Sequence, residues 1–226
     1  MEGKLTIVGT PIGNMMDITI RALRALRECD VVIAEDTRRT KKLLKFFNID
    51  GKQLISYGLH NQLKSVPFIL NLLKEGKKLC LVTDSGMPCV ADPGGFLVDA
   101  CWRSGIELDV TPGPSALTSA LALCGFDSSR VFFTGFLPRG KKRRKLFRDI
   151  KGKKMLFVFF ESATRISETL SDAMDIFGNC DIFIGREMTK VFQQLFRGKI
   201  SDAVESFKQT KGELTVVLYL KKGGEN

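Results

Sequence analysis

The sequence is poor in the residues on which much enzyme chemistry rests. Its 226 residues include one histidine, His60, one tryptophan, Trp102, and two tyrosines. A Ser-His-Asp or Cys-His mechanism, or a histidine-rich metal site, would have to rest on His60 alone. The six cysteines never come closer than nine positions, so no CxxC pair exists for a metal or a redox centre. Most of them sit in apolar segments, as reduced core cysteines do. No apolar run approaches the roughly 18 residues of a membrane helix, and the start Met1-Glu-Gly-Lys4 lacks the long apolar stretch of a signal peptide. The turn after the first apolar run is not a GxGxxG fingerprint, and there is no Walker sequence. The expectation is a cytoplasmic protein with no membrane partner and no metal.

What the sequence does have is positive charge in one place. Thirty-five Lys and Arg stand against 25 Asp and Glu, a net +10 with a pI near 9.4. Between Arg139 and Lys154 there are ten basic residues and a single acid, Asp149, so this stretch alone carries +9. A second basic run, Arg38, Arg39, Lys41, Lys42 and Lys45, directly follows Glu35-Asp36. A run of charge is more often a solvated helix face than a binding site. A near-neutral protein with one concentrated cationic segment nevertheless points to a polyanionic partner. With 44% hydrophobic residues the chain can bury a substantial core.

The first half alternates strand and helix signals. Leu5–Val8, Val31–Ala34, Leu54–Tyr57, Leu79–Val82 and Glu107–Val110 read as short buried strands, with helical periodicity between them. This predicts a mainly parallel α/β domain over residues 1–112. Thr111-Pro-Gly-Pro-Ser115 interrupts the pattern as a hinge. Residues 113–226 then read as a mixed-sheet α/β domain, with strands at Val131–Thr134, Leu156–Phe160, Ile182–Ile184 and Leu214–Leu220. The basic segment 139–154 follows Gly135-Phe-Leu-Pro138 and is expected to begin as an exposed loop. Lys and Arg there would neutralise phosphates with little sequence preference.

Three Gly- and Pro-rich turns, Gly9–Asn14, Asp84–Pro88 and Thr111–Ser115, follow the carboxyl ends of predicted strands, where open α/β sheets bind ligands. Acids also stand at strand ends: Glu35-Asp36, Asp84, Glu161 and Glu187. Each can cap a helix, pair with a cation, or accept a proton.

Several blocks carry a resemblance. Leu5-Thr-Ile-Val-Gly-Thr-Pro-Ile-Gly-Asn14, Asp17-Ile-Thr19, Ala34-Glu-Asp-Thr-Arg-Arg-Thr40 and Thr111-Pro-Gly-Pro-Ser-Ala116 resemble the ribosomal RNA small subunit methyltransferase I family of tetrapyrrole methylases. So do Gly135-Phe-Leu-Pro-Arg139 and Arg186-Glu-Met-Thr-Lys190. The resemblance implies two α/β domains, with S-adenosylmethionine in the cleft between them and usually a homodimer. It implies 2′-O-methylation of a cytidine of 16S rRNA, in the 30S subunit near the decoding centre. By matching position, the donor-binding candidates are Pro11, Asp84, Gly86, Met87, Val90, Ser115, Ala116, Phe160, Glu187 and Glu213. The RNA-binding candidates are Arg38, Arg39, Lys41, Lys42, Arg139, Lys141, Lys142, Arg143, Arg144 and Lys145. A ribose hydroxyl is a poor acid, so a base or acceptor is needed, and Asp36 and Glu187 are the candidates. Two departures from the family pattern stand out. Met87 replaces a hydroxyl residue, and Glu161-Ser-Ala-Thr-Arg165 replaces Glu-Ser-Pro-His-Arg. The alternatives are a tetrapyrrole or other small-molecule methylase of the same superfamily, and a non-enzymatic RNA-binding assembly protein.

Overall fold

A computed structural model describes residues 3–127, 129–208 and 211–221. The chain forms two compact units, Met1–Ser115 and Ala116–Asn226. The division falls at the start of a helix, three residues beyond the boundary placed at 112/113 from sequence.

In the first unit every strand is parallel. The strands are β1 (Lys4–Val8), β2 (Val31–Ala34), β3 (Gln53–Ser56), β4 (Lys78–Val82) and β5 (Glu107–Thr111), in the sheet order β3-β2-β4-β1-β5. The helices between them are α1 (Ile20–Glu28), α2 (Thr37–Phe46), α3 (Gln62–Lys74) and α4 (Gly95–Arg103). Ala22 and Leu26 of α1 share one buried cluster with Leu44 of α2. Ile69 and Leu73 of α3 share another with Leu97 and Cys101 of α4. The sheet is therefore covered on both faces, which is why β2 is buried at all four positions and reads as a continuous apolar run. The loop leaving β1 leads to one face and the loop leaving β4 to the other, the arrangement that opens a crevice at the carboxyl edge. Local chemistry sets the helix starts. Thr19 caps α1 through Ala22 N–H at 3.1 Å, and Asp36 caps α2 through Arg38 N–H at 2.8 Å.

The second unit holds a mixed sheet. Its elements are α5 (Ala116–Cys124), β6 (Val131–Phe136), α6 (Lys141–Ile150), β7 (Met155–Ser162) and α7 (Ile166–Phe177). They continue with β8 (Asp181–Arg186), β9 (Gln194–Lys199), α8 (Ile200–Ser206) and β10 (Glu213–Leu220). The order is β6-β7-β10-β8-β9, with only β6 and β7 parallel. One core, including Phe147, Phe157, Phe159, Leu170, Ile184 and Leu218, joins α6, α7 and α8 to the sheet.

Two features differ from the sequence reading. The first is β9, which is not anticipated: its alternation is blurred by Arg197 and Gly198, and it lies at a sheet edge. The second is the basic segment, which begins as a loop with Arg139 exposed, as expected, but is helical from Lys141. Phe147 and Ile150 are buried at helical spacing, and Arg143 is buried on the same stripe, with no exposed side chain. The Arg143 guanidinium donates to Asp172 from Nε at 2.7 Å and to Thr169 Oγ1 at 3.1 Å, and pairs with Glu168 at 2.7 Å. Thr169 in turn donates to the buried Glu161 at 2.8 Å. Arg144 also pairs with Asp172, and with Asp175 at 3.1 Å. These ties pin α6 to α7.

Removing one partner of a buried pair leaves the other charge uncompensated. Arg143→Ala is therefore expected to cost about 3–5 kcal/mol, read as a large fall in thermal midpoint. Burial alone would raise Asp172, but Arg144 and Arg143 outweigh it and hold the carboxyl below its ordinary value. Its stabilisation is thus full above the unfolded value of about 4 and lost as the pH falls below it, through the depressed folded value. Melts from pH 7 downward should show Asp172→Asn losing less stability than wild type on acidification below about pH 4; parallel curves would contradict this.

Candidate active site

The carboxyl edge of the first sheet is built from contacts between turns. Gly9 N–H donates to Thr111 O at 3.1 Å, joining the ends of β1 and β5. A Cβ at Gly9 would lie 2.7 Å from Gly113 Cα and 2.6 Å from Met87 Sδ, so only glycine permits this approach. Thr10 and Gly86 exchange main-chain hydrogen bonds at 2.9 and 3.2 Å, and Thr10 Oγ1 donates to Thr83 O at 3.1 Å. Gly86 has φ +84°, in the left-handed region. The three turns singled out from sequence are thus one packed assembly, bringing together Pro11, Asp84, Gly86 and Met87. Val90 is exposed on the loop beyond Met87, and Ser115 closes the unit.

The acids at the ends of β2 and β4 interlock. Glu35 Oε2 accepts from Thr83 Oγ1 at 2.6 Å and from Asp84 N–H at 3.3 Å. Asp84 Oδ1 accepts from Asp36 N–H at 3.1 Å, and its other oxygen lies 3.4 Å from Arg39 Nε. Burial, followed by the charge of Glu35, raises the Asp84 carboxyl above its ordinary value despite Arg39. Beside it opens a cavity of about 180 Å³, whose walls include Pro11, Met15, Arg39, Lys42 and Asp84. That volume is below the roughly 300–1,000 Å³ of pockets enclosing whole small ligands, so the cavity suits one part of a larger ligand. Thr10 and Thr83 support this site and were not among the candidates, and Glu35, one of the strand-end acids, supports it too. Glu35 stands in the same block as Asp36, but its bond to Thr83 spans 48 positions and leaves no local signal.

Both proton-acceptor candidates from sequence are already engaged by cations. Asp36 caps α2, and the Arg38 guanidinium grips it at 2.7 and 3.1 Å, holding its carboxyl far below the usual range. Glu187, in the second unit, sits at φ +48° and accepts from Lys190 Nζ and Glu213 N–H, both at 2.9 Å. Burial pushes it up, but that amide and Lys190 prevail and keep it below its ordinary value. A carboxylate held this way is a weak proton acceptor. Glu187 and Glu213 are brought together through Lys190, while Phe160 lies on β7 and Ala116 opens α5.

The RNA candidates divide by helix face. Lys41, Lys42, Arg139, Lys141, Lys142 and Lys145 are exposed, as are Arg38 and Arg39 despite their acid partners. Arg143 is a correction: buried and ion-paired, it cannot present charge to a partner. Arg144 is half-buried and committed to Asp172 and Asp175. Arg148, part of the basic segment expected to face RNA, is exposed on the outer side of the same helix. Among the described residues, no helix is long and apolar enough to cross a membrane.

A model of the tetrapyrrole (corrin/porphyrin) methylases matches residues 4–204. A ribosomal RNA small subunit methyltransferase I of Thermotoga maritima is 56% identical over 218 residues, covering 96% of this chain and 98% of the relative. One from Mesomycoplasma conjunctivae is 39% identical, covering 98% and 93%. Among solved structures, a diphthine synthase matches at a TM-score of 0.75 with 17% identity, over 96% of this chain and 90% of that one. A cobalt precorrin-4 methyltransferase matches at 0.69 with 18% identity, over 95% and 94%. The structural neighbours establish only the fold. The near-full-length sequence matches go further: the chain belongs to the ribosomal RNA small subunit methyltransferase I family of tetrapyrrole methylases.

Proposed function

We propose that this protein methylates the ribose 2′-hydroxyl of a cytidine in 16S rRNA, near the decoding centre, with S-adenosylmethionine as donor. The observation that carries the reading is the first-unit edge itself. A glycine-built floor adjoins a cavity in which a carboxyl of raised proton affinity faces two cations, within a chain of this family. The residues fit such a donor. Pro11 and Met15 give apolar wall, and the turns bring main-chain groups close. The donor, when bound, supplies an electrophilic methyl on a sulfonium.

The chain's own residues then have separable tasks. Arg39 and Lys42 hold phosphates beside the target ribose, and fixing a nucleophile in line can be worth roughly 7–11 kcal/mol. Asp84 takes the hydroxyl proton at a carboxylate oxygen, because Asp36 and Glu187 are held too acidic to do so. Glu35 keeps Asp84 receptive by adding negative charge behind it. The α6 cations extend the grip. They crowd a helix N-terminus with positive charge, an unfavourable arrangement against the helix dipole that a phosphate relieves.

Incubating the protein with labelled donor and 30S subunits, then mapping the modified nucleotide by mass spectrometry, tests the reading. A 2′-O-methylcytidine in 16S rRNA supports it, whereas label on a tetrapyrrole and none on RNA would reject it. Asp84→Asn is expected to lower kcat by about 10²-fold or more. The wild-type rate should fall as the pH drops through the Asp84 value, which lies above that of a free carboxyl. Burial, then the charges of Glu35 and Asp36, raise it, Arg39 opposes them, and Arg38 and Lys42 lie nearby. Loss of that limb in Asp84→Asn is the discriminating readout. Replacing Lys141, Lys142 and Lys145 with Ala should weaken RNA binding uniformly across sequences. The slope of log affinity against log salt should shrink by about 0.7 for each single-strand phosphate no longer neutralised.

A further inference from the structure

The exposed ring of Phe136 is outside the core of its unit and packs against Phe160, one of the donor-site candidates. β6 pairs with β7 through Phe133–Val158 and then Phe136–Phe160, so three steps on β6 oppose two on β7. The extra residue is a bulge, and Gly135 within it has φ +65°. Regular alternation would put Phe133 and Phe136 on opposite faces of the strand. The bulge puts both on one face, where each meets Phe160 edge-on, at ring-centre distances of 5.0 and 5.6 Å. Phe136 is nonetheless 54% exposed. Burying a phenylalanine is favourable, so a bulge that holds the ring half in solvent against Phe160 calls for a partner.

The surroundings name its chemistry. Arg139 follows three positions later, within about 10 Å along the chain, and Lys141 and Lys142 open α6. All three are exposed. Gly140, the N-cap of α6, has no side chain to satisfy the first amides. The intervening chain is held in place, since Arg165 donates to Leu137 O at 2.7 Å. An aromatic face beside cations and an open helix N-terminus matches one unpaired nucleotide, its base on the ring and its phosphate on the cations. A second copy of the chain, itself basic, is disfavoured there by like charge.

We infer that Phe136 is a stacking platform for an unpaired nucleobase of the RNA substrate, with Arg139, Lys141 and Lys142 holding the adjoining phosphate. This rests on the RNA-methylating reading above. The test uses Phe136→Trp in a Trp102→Phe background, which leaves a single tryptophan. Its emission is followed on titration with a short single-stranded RNA, with the same strand annealed to its complement, and with inorganic phosphate. Binding is scored independently by the anisotropy of labelled RNA. Strong quenching by the single strand, little by the duplex and none by phosphate is expected. In the otherwise native protein, Phe136→Ala should weaken single-strand binding roughly 10- to 100-fold. Phe136→Tyr should restore binding. RNA that binds without altering the emission, or with undiminished affinity for Phe136→Ala, overturns the platform and leaves the methylation reading standing. Quenching that depends on protein concentration without RNA overturns it in favour of a contact between copies. Failure of the wild-type protein to bind any small-subunit RNA defeats both.

Discussion

The approach of Gly9 to Gly113 is the constraint on which the candidate active site depends. Two main chains can touch at that distance only because neither residue has a Cβ. Their contact sets the separation of the turns after β1 and β5, and the Gly9–Thr111 hydrogen bond holds it. The paired bonds between Thr10 and Gly86 then draw in the turn after β4. Main-chain groups that would otherwise be buried and unpaired satisfy one another, so the floor needs no side chains of its own. Side chains at its margin are free for chemistry, and Asp84 is one of them. Met87 belongs to the packing: its sulfur rests against Gly9, where a Cβ would collide.

The positive charge obeys a comparable geometric rule. On a helix of 3.6 residues per turn, Arg143, Phe147 and Ile150 share a face, and that face is inside. Burying a guanidinium is tolerable only with close anionic partners, and α7 supplies Asp172 and Glu168. Two of the ten cations of the basic segment are consequently committed to attachment. The attachment in turn fixes the phase of α6, which directs Lys141, Lys142, Lys145 and Arg148 outward. The cationic surface is smaller than composition suggests, and better ordered.

Much of this was readable in the sequence. The five parallel strands, the three turns at their ends and the mixed character of the second sheet follow from apolar runs and from Gly and Pro placement. The phase of α6 was readable too, because Arg143 occupies a position in the apolar stripe, but ten basic residues in sixteen positions mask that periodicity. The roles of the acids were not readable. Asp36, Asp84 and Glu187 look alike at strand ends. What separates them is Arg38 two residues along the chain, Glu35 across the sheet, and Lys190 with the Glu213 amide in a different unit. The two local pairs, Asp36 with Arg38 and Glu187 with Lys190, leave a trace in the sequence. The burial of Asp84 beside Glu35 and the Glu213 amide at Glu187 are set by tertiary neighbours.

The same neighbours bear on how a proton acceptor and a phosphate anchor can share one site. On the methylation reading Arg39 would attract phosphate, yet it also lowers the proton affinity of Asp84, so the two tasks would conflict in the free protein. Glu35 offsets this from behind, through Thr83 and the Asp84 amide. At 3.4 Å, the Arg39–Asp84 contact is long for a charge-assisted hydrogen bond, and the Arg39 side chain is 65% exposed. On the methylation reading, a phosphate that engages Arg39 draws it from Asp84, while the charge of Glu35 remains. Substrate binding then makes the carboxylate more basic at the moment a ribose hydroxyl is beside it. On that reading, the weakness of this one ion pair would let the anchor and the base serve the same reaction.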